Sequence, residues 1–432
     1  MVENPTVRLH ALARGRAEEV KFGRWLRNPS VTVAELVEDC GRQLASQVAG
    51  LHVLAIQDTT ELNYERHAGR TCGLGTVGNG TDRGLFLHPM LAIEASGKRC
   101  LGLVGAEVWT RSEGVEISRR NRPIEDKESH RWLRGAERAK QVLHLAARVT
   151  VVADRESDIY EAFARLPGPN FDLLSRAAQD RMIAEGGCLF AYTDRLPVAG
   201  RIQFAVRRCP GKREGRVAKL ELRFGTVTLK RPRHVRKAQA PAEITLRVVD
   251  VRETTTVPPG EHPIHWRLLT THAVPDMAKA LEIIDWYRQR WHIEQLFWTL
   301  KSQGFNLEAS QIETAEALMK LAIMATKAAT RVMQLVRARD GKDPRPAEDV
   351  FSPDEIVVIT DLQTELQGRT ERQKNPHPHR SLAWAAWTIA RLGGWKGYST
   401  SEGPPGPLTM RRGLEAFEKI CRGYALGKCV HR

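Results

Sequence analysis

The chain has 432 residues, 42% hydrophobic and 27% charged, with 66 Lys and Arg against 51 Asp and Glu, a net charge of +15. That length supports a large core over about three domains, and the positive balance favours a polyanion partner, nucleic acid first. No apolar run reaches the roughly 18 residues of a membrane-spanning helix, and Met1–Arg16 has no apolar signal segment, so the sequence reads as cytoplasmic, with no membrane partner. The seven cysteines (Cys40, Cys72, Cys100, Cys188, Cys209, Cys421 and Cys429) are scattered and never in C-x-x-C spacing. They suggest neither a disulfide framework nor zinc, and His377-x-His379 lacks ligand spacing as well.

In chain order, residues 1–50 read as helical. Thr32 and Glu35 have capping-box spacing ahead of the amphipathic set Leu36, Val37, Cys40 and Leu44. A short apolar strand, Val53–Ile56, ends at Gln57-Asp58-Thr59-Thr60. Gly73–Gly84 reads as a loop. Strands at Leu85–Ala95 and Leu101–Trp109, with a turn at Ser96-Gly97-Lys98, predict an antiparallel meander. A helix over about Gly135–Arg148 leads into strand Val149–Ala153 and Asp154. A second helix starts near Ser157, and Phe171–Leu174 is another strand. Alternation then dominates through 266: Leu220, Leu222, Phe224; Val227, Leu229; Ile244, Leu246, Val248. Within it, residues 201–240 carry 13 Lys or Arg against two Glu, either a solvated sheet surface or a face for phosphates. A long helix is predicted over about Asp276–Gln303, with Gly304 as its stop, and more helix over Glu308–Arg339. A Pro-, Asp- and Gly-rich loop covers Asp340–Asp354. The last hundred residues return to helix, with a turn cluster at Gly403–Pro407.

Two apolar strands end in acids, Asp58 and Asp154. An acid at the edge of a buried strand is well placed to hold a hard cation, although such residues are commonly N-caps or turn residues. Tyr287, Arg290, Glu294 and Lys301 lie at offsets 0, 3, 7 and 14, within roughly 60° of one another on an ideal helix. That stripe is either a solvated face laced by ion pairs or a set of functional groups. Trp286, Trp291, Ile293 and Leu296 argue for a substantially buried helix, in which a carboxylate needs a partner.

The segments Ile56-Gln57-Asp58-Thr59-Thr60 and Ala153-Asp154-Arg155-Glu156-Ser157-Asp158-Ile159-Tyr160 recur with the Y-x2-R-x3-E-x6-K pattern of Tyr287, Arg290, Glu294 and Lys301. With the tract Trp266–Thr270 and the stretch Leu382–Leu426, they make the chain resemble the DDE transposases of bacterial insertion sequences. The branch resembled is the one that includes the transposon-five enzyme, the insertion-sequence-four family. The resemblance implies an α/β fold with an RNase H-like core, a mixed five-stranded sheet with flanking helices, carrying a β-rich insertion and helical N- and C-terminal regions. The domains expected are 1–50, a shortened helical DNA-binding region; 51–170, the first part of the catalytic core; 171–266, the basic insertion; 267–340, the second part of the core; and 341–432, a helical region for dimerisation.

By the same resemblance, Asp58, Asp154 and Glu294 are the catalytic, metal-binding triad. They would hold two Mg²⁺ ions about 4 Å apart, replaceable by Mn²⁺, for phosphodiester hydrolysis and 3′-hydroxyl strand transfer in cut-and-paste transposition. Tyr287, Arg290 and Lys301 would contact phosphates, and Trp266 and Trp291 would accommodate a hairpinned end with a flipped base. For the tryptophans, core packing is the alternative. Asp158 is expected to be structural, and Arg155 and Glu156 a local pair. Partners are double-stranded DNA, both inverted-repeat ends and target, with a homodimer in the complex, and the location is the bacterial nucleoid.

The first motif comes early. The basic residues ahead of it (Arg8, Arg14, Arg16, Lys21 and Arg24) suggest a shortened end-binding region. A non-catalytic, inhibitory DNA-binding derivative and a general metal-dependent nuclease are the competing readings.

Overall fold

A computed structural model describes residues 7, 9, 13, 15–42, 44–78, 80–111, 122–206, 208, 214–302, 305–343, 345–398 and 403–430, without the side chains of 372 and 428–430. Arg8, Arg14, Cys209 and the Gly304 stop signal lie outside the described residues, as does the side chain of Cys429. The chain divides into two compact units, one of 1–49, 59–114 and 292–432, the other of 50–58 and 115–291.

The second unit is built on a mixed sheet. Strand β1 (His52–Gln57) pairs in parallel with β6 (Arg148–Ala153), and β6 in parallel with β7 (Phe171–Arg176). Their sequences are nearly unbroken apolar runs because both faces are covered; Val53, Leu54, Ala55 and Ile56 are all fully buried. Helix α4 (Arg131–Val142) buries Trp132, Leu133, Ala136 and Ala139, the i, i+4, i+7 stripe of an amphipathic helix. It starts and ends earlier than its apolar pattern suggested. A 3₁₀ turn at Arg155–Ser157 precedes the short α5 (Tyr160–Arg165), and α6 (Leu189–Arg195) follows in the insertion.

The sheet does not stop at five strands. Strand β11 (His265–Thr270) pairs antiparallel with β7, β10 (Glu243–Glu253) with β11, β9 (Arg216–Lys230) with β10, and β8 (Gly200–Val206) with β9. This unit alone therefore contributes seven strands, in the order β1-β6-β7-β11-β10-β9-β8. The β-rich insertion continues the core sheet edge to edge, since β7 offers β11 a free row of backbone donors and acceptors. Alternation in β9 buries Leu220 and Leu222 on one face in its first half and Val227 and Leu229 on the opposite face in its second. Arg201 and Arg223 pair with Glu221, and Arg216 with Glu253 and Glu261, so part of the basic excess is neutralised internally.

In the first unit, β4 (Asp82–Glu94) pairs antiparallel with β2 (Thr60–Asn63), β3 (Gly75–Val77) and β5 (Cys100–Trp109). Strand β3 and the start of β4 fall in the stretch expected to be a loop. Helices α1 (Arg16–Arg27), α2 (Val33–Arg42) and α3 (Leu44–Gln47) fill the N-terminal part. The expected capping box opens α2: Thr32 N–H donates to Glu35 Oε2 at 2.9 Å and Glu35 N–H to Thr32 Oγ1 at 3.2 Å. Further on, α9 (Ala315–Ala338) is capped by Thr314, so it begins after the residue expected, Glu308. Helices α10 (Pro353–Leu366), α11 (Leu382–Leu392) and α12 (Pro407–Val430) complete the helical C-terminal region.

A polar chain runs under the N-terminal ends of β1 and β6. His52 Nε2 and His272 Nε2 both lie 2.8 Å from Thr150 Oγ1, and His272 Nδ1 lies 3.5 Å from Asp172, which also binds Arg148. With the Nδ1 proton facing Asp172, the Thr150 hydroxyl donates to His272 and His52 donates to Thr150. Burial pushes His272 down to about 4 from 6.5 against the pull of Asp172, with Lys279, His52 and Arg148 opposing protonation. The folded state thus binds fewer protons than the unfolded chain, and stability falls as pH drops from 6.5 to 4. We expect His272→Gln to lose about 3 kcal/mol less than the parent chain between pH 7 and pH 4 in urea unfolding. Parallel pH profiles for the two proteins would contradict this.

Candidate active site

Parallel register decides where the two aspartates fall. Along β1 and β6, Ile56 stands opposite Val152; two residues further, Asp58 falls opposite Asp154. Along β6 and β7, Ala153 stands opposite Ser175, so the next pair is Asp154 and Arg176. The carboxyl ends of three adjacent strands thus present Asp58, Asp154 and Arg176 in one row, strands being about 4.8 Å apart. Carboxyl ends of parallel strands are where open α/β sheets place their ligands.

The strand ends are pinned. Gln57 Nε2 donates to the Trp132 carbonyl at 3.2 Å. The Asp154 carbonyl accepts the Ser157 N–H at 3.0 Å and both the Ser157 and Ser175 hydroxyls, which lie 2.6 Å apart. Asp154 sits at the N-cap of the 3₁₀ turn, yet its carboxylate makes no cap bond. It faces the site instead: Oδ1 accepts from the Tyr287 hydroxyl at 3.0 Å and lies 4.0 Å from Arg176, and Oδ2 lies 3.7 Å from Arg290. Arg290 also donates to Asp58 Oδ2 at 2.9 Å, so one guanidinium spans both carboxylates. Burial first, then the Asp154 charge, pushes the Tyr287 hydroxyl well above the usual phenol range, so it stays a proton donor. Trp266 packs edge-on against Tyr287 at 5.5 Å and is half-buried.

Asp158, one turn beyond Asp154, is spent elsewhere. Its carboxylate, 1% exposed, accepts the Ala178 and Gln179 N–H groups at 2.8 Å and binds Arg181 at 2.8 Å. Glu156 does not pair with Arg155; it binds Arg131 at 2.6 Å, because Arg131 reaches over from α4.

The long helix is broken. Helix α7 (Met277–Arg288) ends where Gln289 N–H turns back to the Trp286 carbonyl at 3.0 Å and Arg290 N–H to that of Tyr287 at 3.1 Å; α8 (Trp291–Lys301) then begins. These i→i−3 bonds tighten the turn, and the ideal-helix angles across it no longer hold. Tyr287 and Arg290 therefore lie in the unit with both aspartates, whereas Glu294 and Lys301 belong to the other, where Lys301 pairs with Glu308 at 3.4 Å. Trp286 is buried as expected, but Trp291 is 52% exposed and so is not a core residue; the Arg290 guanidinium stands 5.9 Å from its ring.

The residues brought together are thus Asp58, Asp154, Tyr287, Arg290 and Trp266. Sequence reasoning missed Arg176, whose signal was its position as the last residue of a strand next to β6. Among the described residues, no group of three or more His, Cys, Asp or Glu side chains stands close enough together to hold a metal ion. The donor chemistry nonetheless suits a hard divalent ion. Two carboxylates at matched height already share one cationic group, and oxygen ligands of that kind are what Mg²⁺ takes.

Residues 134–331, which include Asp154 and Glu294 but not Asp58, match the family described as Transposase DDE domain. Among solved structures, a cryo-EM structure of piggyBac transposase in a synaptic complex with hairpin DNA is similar over 87% of this chain, at 10% sequence identity and a TM-score of 0.36. The chain spans 57% of the length of that protein.

Proposed function

We propose that the protein is a cut-and-paste DNA transposase of a bacterial insertion sequence, in the transposon-five-like branch, working on an RNase H-like core. The observation that carries this reading is the pair Asp58 and Asp154, held side by side on adjacent parallel strands under one arginine, in a chain whose next motif matches a transposase DDE domain. Asp58, Asp154 and Glu294 are assigned as the carboxylates that hold two Mg²⁺ ions, with Mn²⁺ as substitute. Bound there, such ions would lower the barrier to phosphodiester hydrolysis and 3′-hydroxyl strand transfer by stabilising charge on the attacking and leaving oxygens.

The chain's own groups do the positioning. Arg290, trading a carboxylate for a phosphate, orients the scissile strand, because a planar guanidinium matches two phosphate oxygens. The Tyr287 hydroxyl keeps its proton and fixes the Asp154 carboxylate. Lys301 is assigned a backbone phosphate, and Trp266 and Trp291 the unpaired bases of a distorted end. The partners are inverted-repeat ends and target DNA, with two protomers per complex.

The test is linear DNA carrying the inverted repeats that flank the coding sequence. We expect nicking at the ends and joining of the free 3′-end to target DNA, both with Mg²⁺ or Mn²⁺ and neither with EDTA. Cleavage without joining would point to a plain nuclease, and binding without cleavage to an inhibitory derivative.

A further inference from the structure

Helix α8 buries two of its sides and leaves one stripe open. His292, Ile293, Leu296, Phe297, Thr299 and Leu300 are buried, whereas Trp291, Glu294, Gln295, Trp298 and Lys301 are exposed or half-exposed. Trp298 is 51% exposed, as much as Trp291 seven residues earlier. Seven residues are two turns, so the two indoles fall on the same stripe with Glu294 between them, about 10 Å apart along the axis.

Two half-exposed indoles in line with Glu294, the carboxylate assigned to the metals above, offer a contact surface. Cations border the stripe at its middle and its end, the latter paired with Glu308 at 3.4 Å. Lys301 follows Trp298 by three residues, and Arg337 donates to Gln295 Oε1 at 3.0 Å, which places a second cation beside the middle of the stripe.

We propose that Trp298 is a stacking residue for an unpaired DNA nucleotide, a second aromatic contact on the side of Glu294 opposite Trp291. This rests on the transposase reading above and adds a residue to its DNA-binding set. Stacked bases repeat every 3.4 Å along a strand, so indoles about 10 Å apart would address nucleotides about three steps apart. They would act on separate bases, and their effects should multiply.

The test uses the full chain, without divalent metal, and two probes of mixed sequence: a fully paired duplex and the same duplex with an unpaired single-strand extension. Trp298→Ala should weaken binding to the extended probe by about tenfold or more, Trp298→Phe should retain most of it, and the fully paired duplex should change little. Trp298→Ala/Trp291→Ala should show the product of the single losses. The proposal is overturned if alanine binds the extended probe as the parent does, if phenylalanine loses as much as alanine, or if both probes weaken equally. It is also overturned if the substitution instead dissociates a dimer in sedimentation. Because the readout is metal-free binding, absence of cleavage in the parent chain would refute the catalytic reading and leave this result standing.

Discussion

Asp154→Asn is expected to cut divalent-dependent cleavage of transposon-end DNA by about a thousandfold or more while leaving the chain folded. The substitution keeps the shape of the side chain and its bond from the Tyr287 hydroxyl, and removes the charge that a hard cation requires. Asp58→Asn should do the same, because the two carboxylates meet at one height on neighbouring strands. A second measurement separates ligand loss from general damage. Mg²⁺ should raise the melting temperature of the parent chain, and raise it less or not at all in the Asp58→Asn/Asp154→Asn variant. Undiminished cleavage in either single variant would remove that residue from the assignment.

Asp158→Ala is expected to have the opposite character. Its carboxylate answers two backbone N–H groups and the Arg181 guanidinium, which is 8% exposed. Removal leaves a nearly buried cation and two amides without their acceptor, a loss of about 3–5 kcal/mol. Chemical denaturation should show the shift, and soluble yield should fall. Asp158→Asn, which can still accept one of those bonds, should recover part of the stability. If Asp158→Ala unfolded like the parent but lost cleavage, the roles of Asp154 and Asp158 would have to be exchanged.

The contrast between these two aspartates shows what could be read before any coordinates. The strand ends were legible, since Val53–Ile56 and Val149–Ala153 are largely apolar runs long enough only for buried strands, and each reaches an acid within two residues. Their alignment was not, because register is a property of a pair of strands far apart in sequence, and so Arg176 went unnoticed. The meander, the N-terminal helices and the capping box at Thr32 followed from local pattern. The break at Gln289–Arg290 did not: neither residue is Gly or Pro, and apolar spacing continues through it. Nor did alternation in the insertion reveal that its strands extend the core sheet, since β7 and β11 pair across about ninety residues. Burial of Trp286 and exposure of Trp291 and Trp298 likewise depend on which side of each helix is covered, and composition is silent on that.

The parallel pairing of β1 with β6 also sets a timetable for synthesis. About ninety residues separate the end of the first strand from the start of the second. At a translation rate of about 5–20 residues per second, the segment bearing Asp58 leaves the ribosome roughly 5–20 seconds before its neighbour exists. Through that interval the pairing that sets Asp58 opposite Asp154 cannot form, and a nascent chain interrupted before residue 148 would hold the first aspartate without the second.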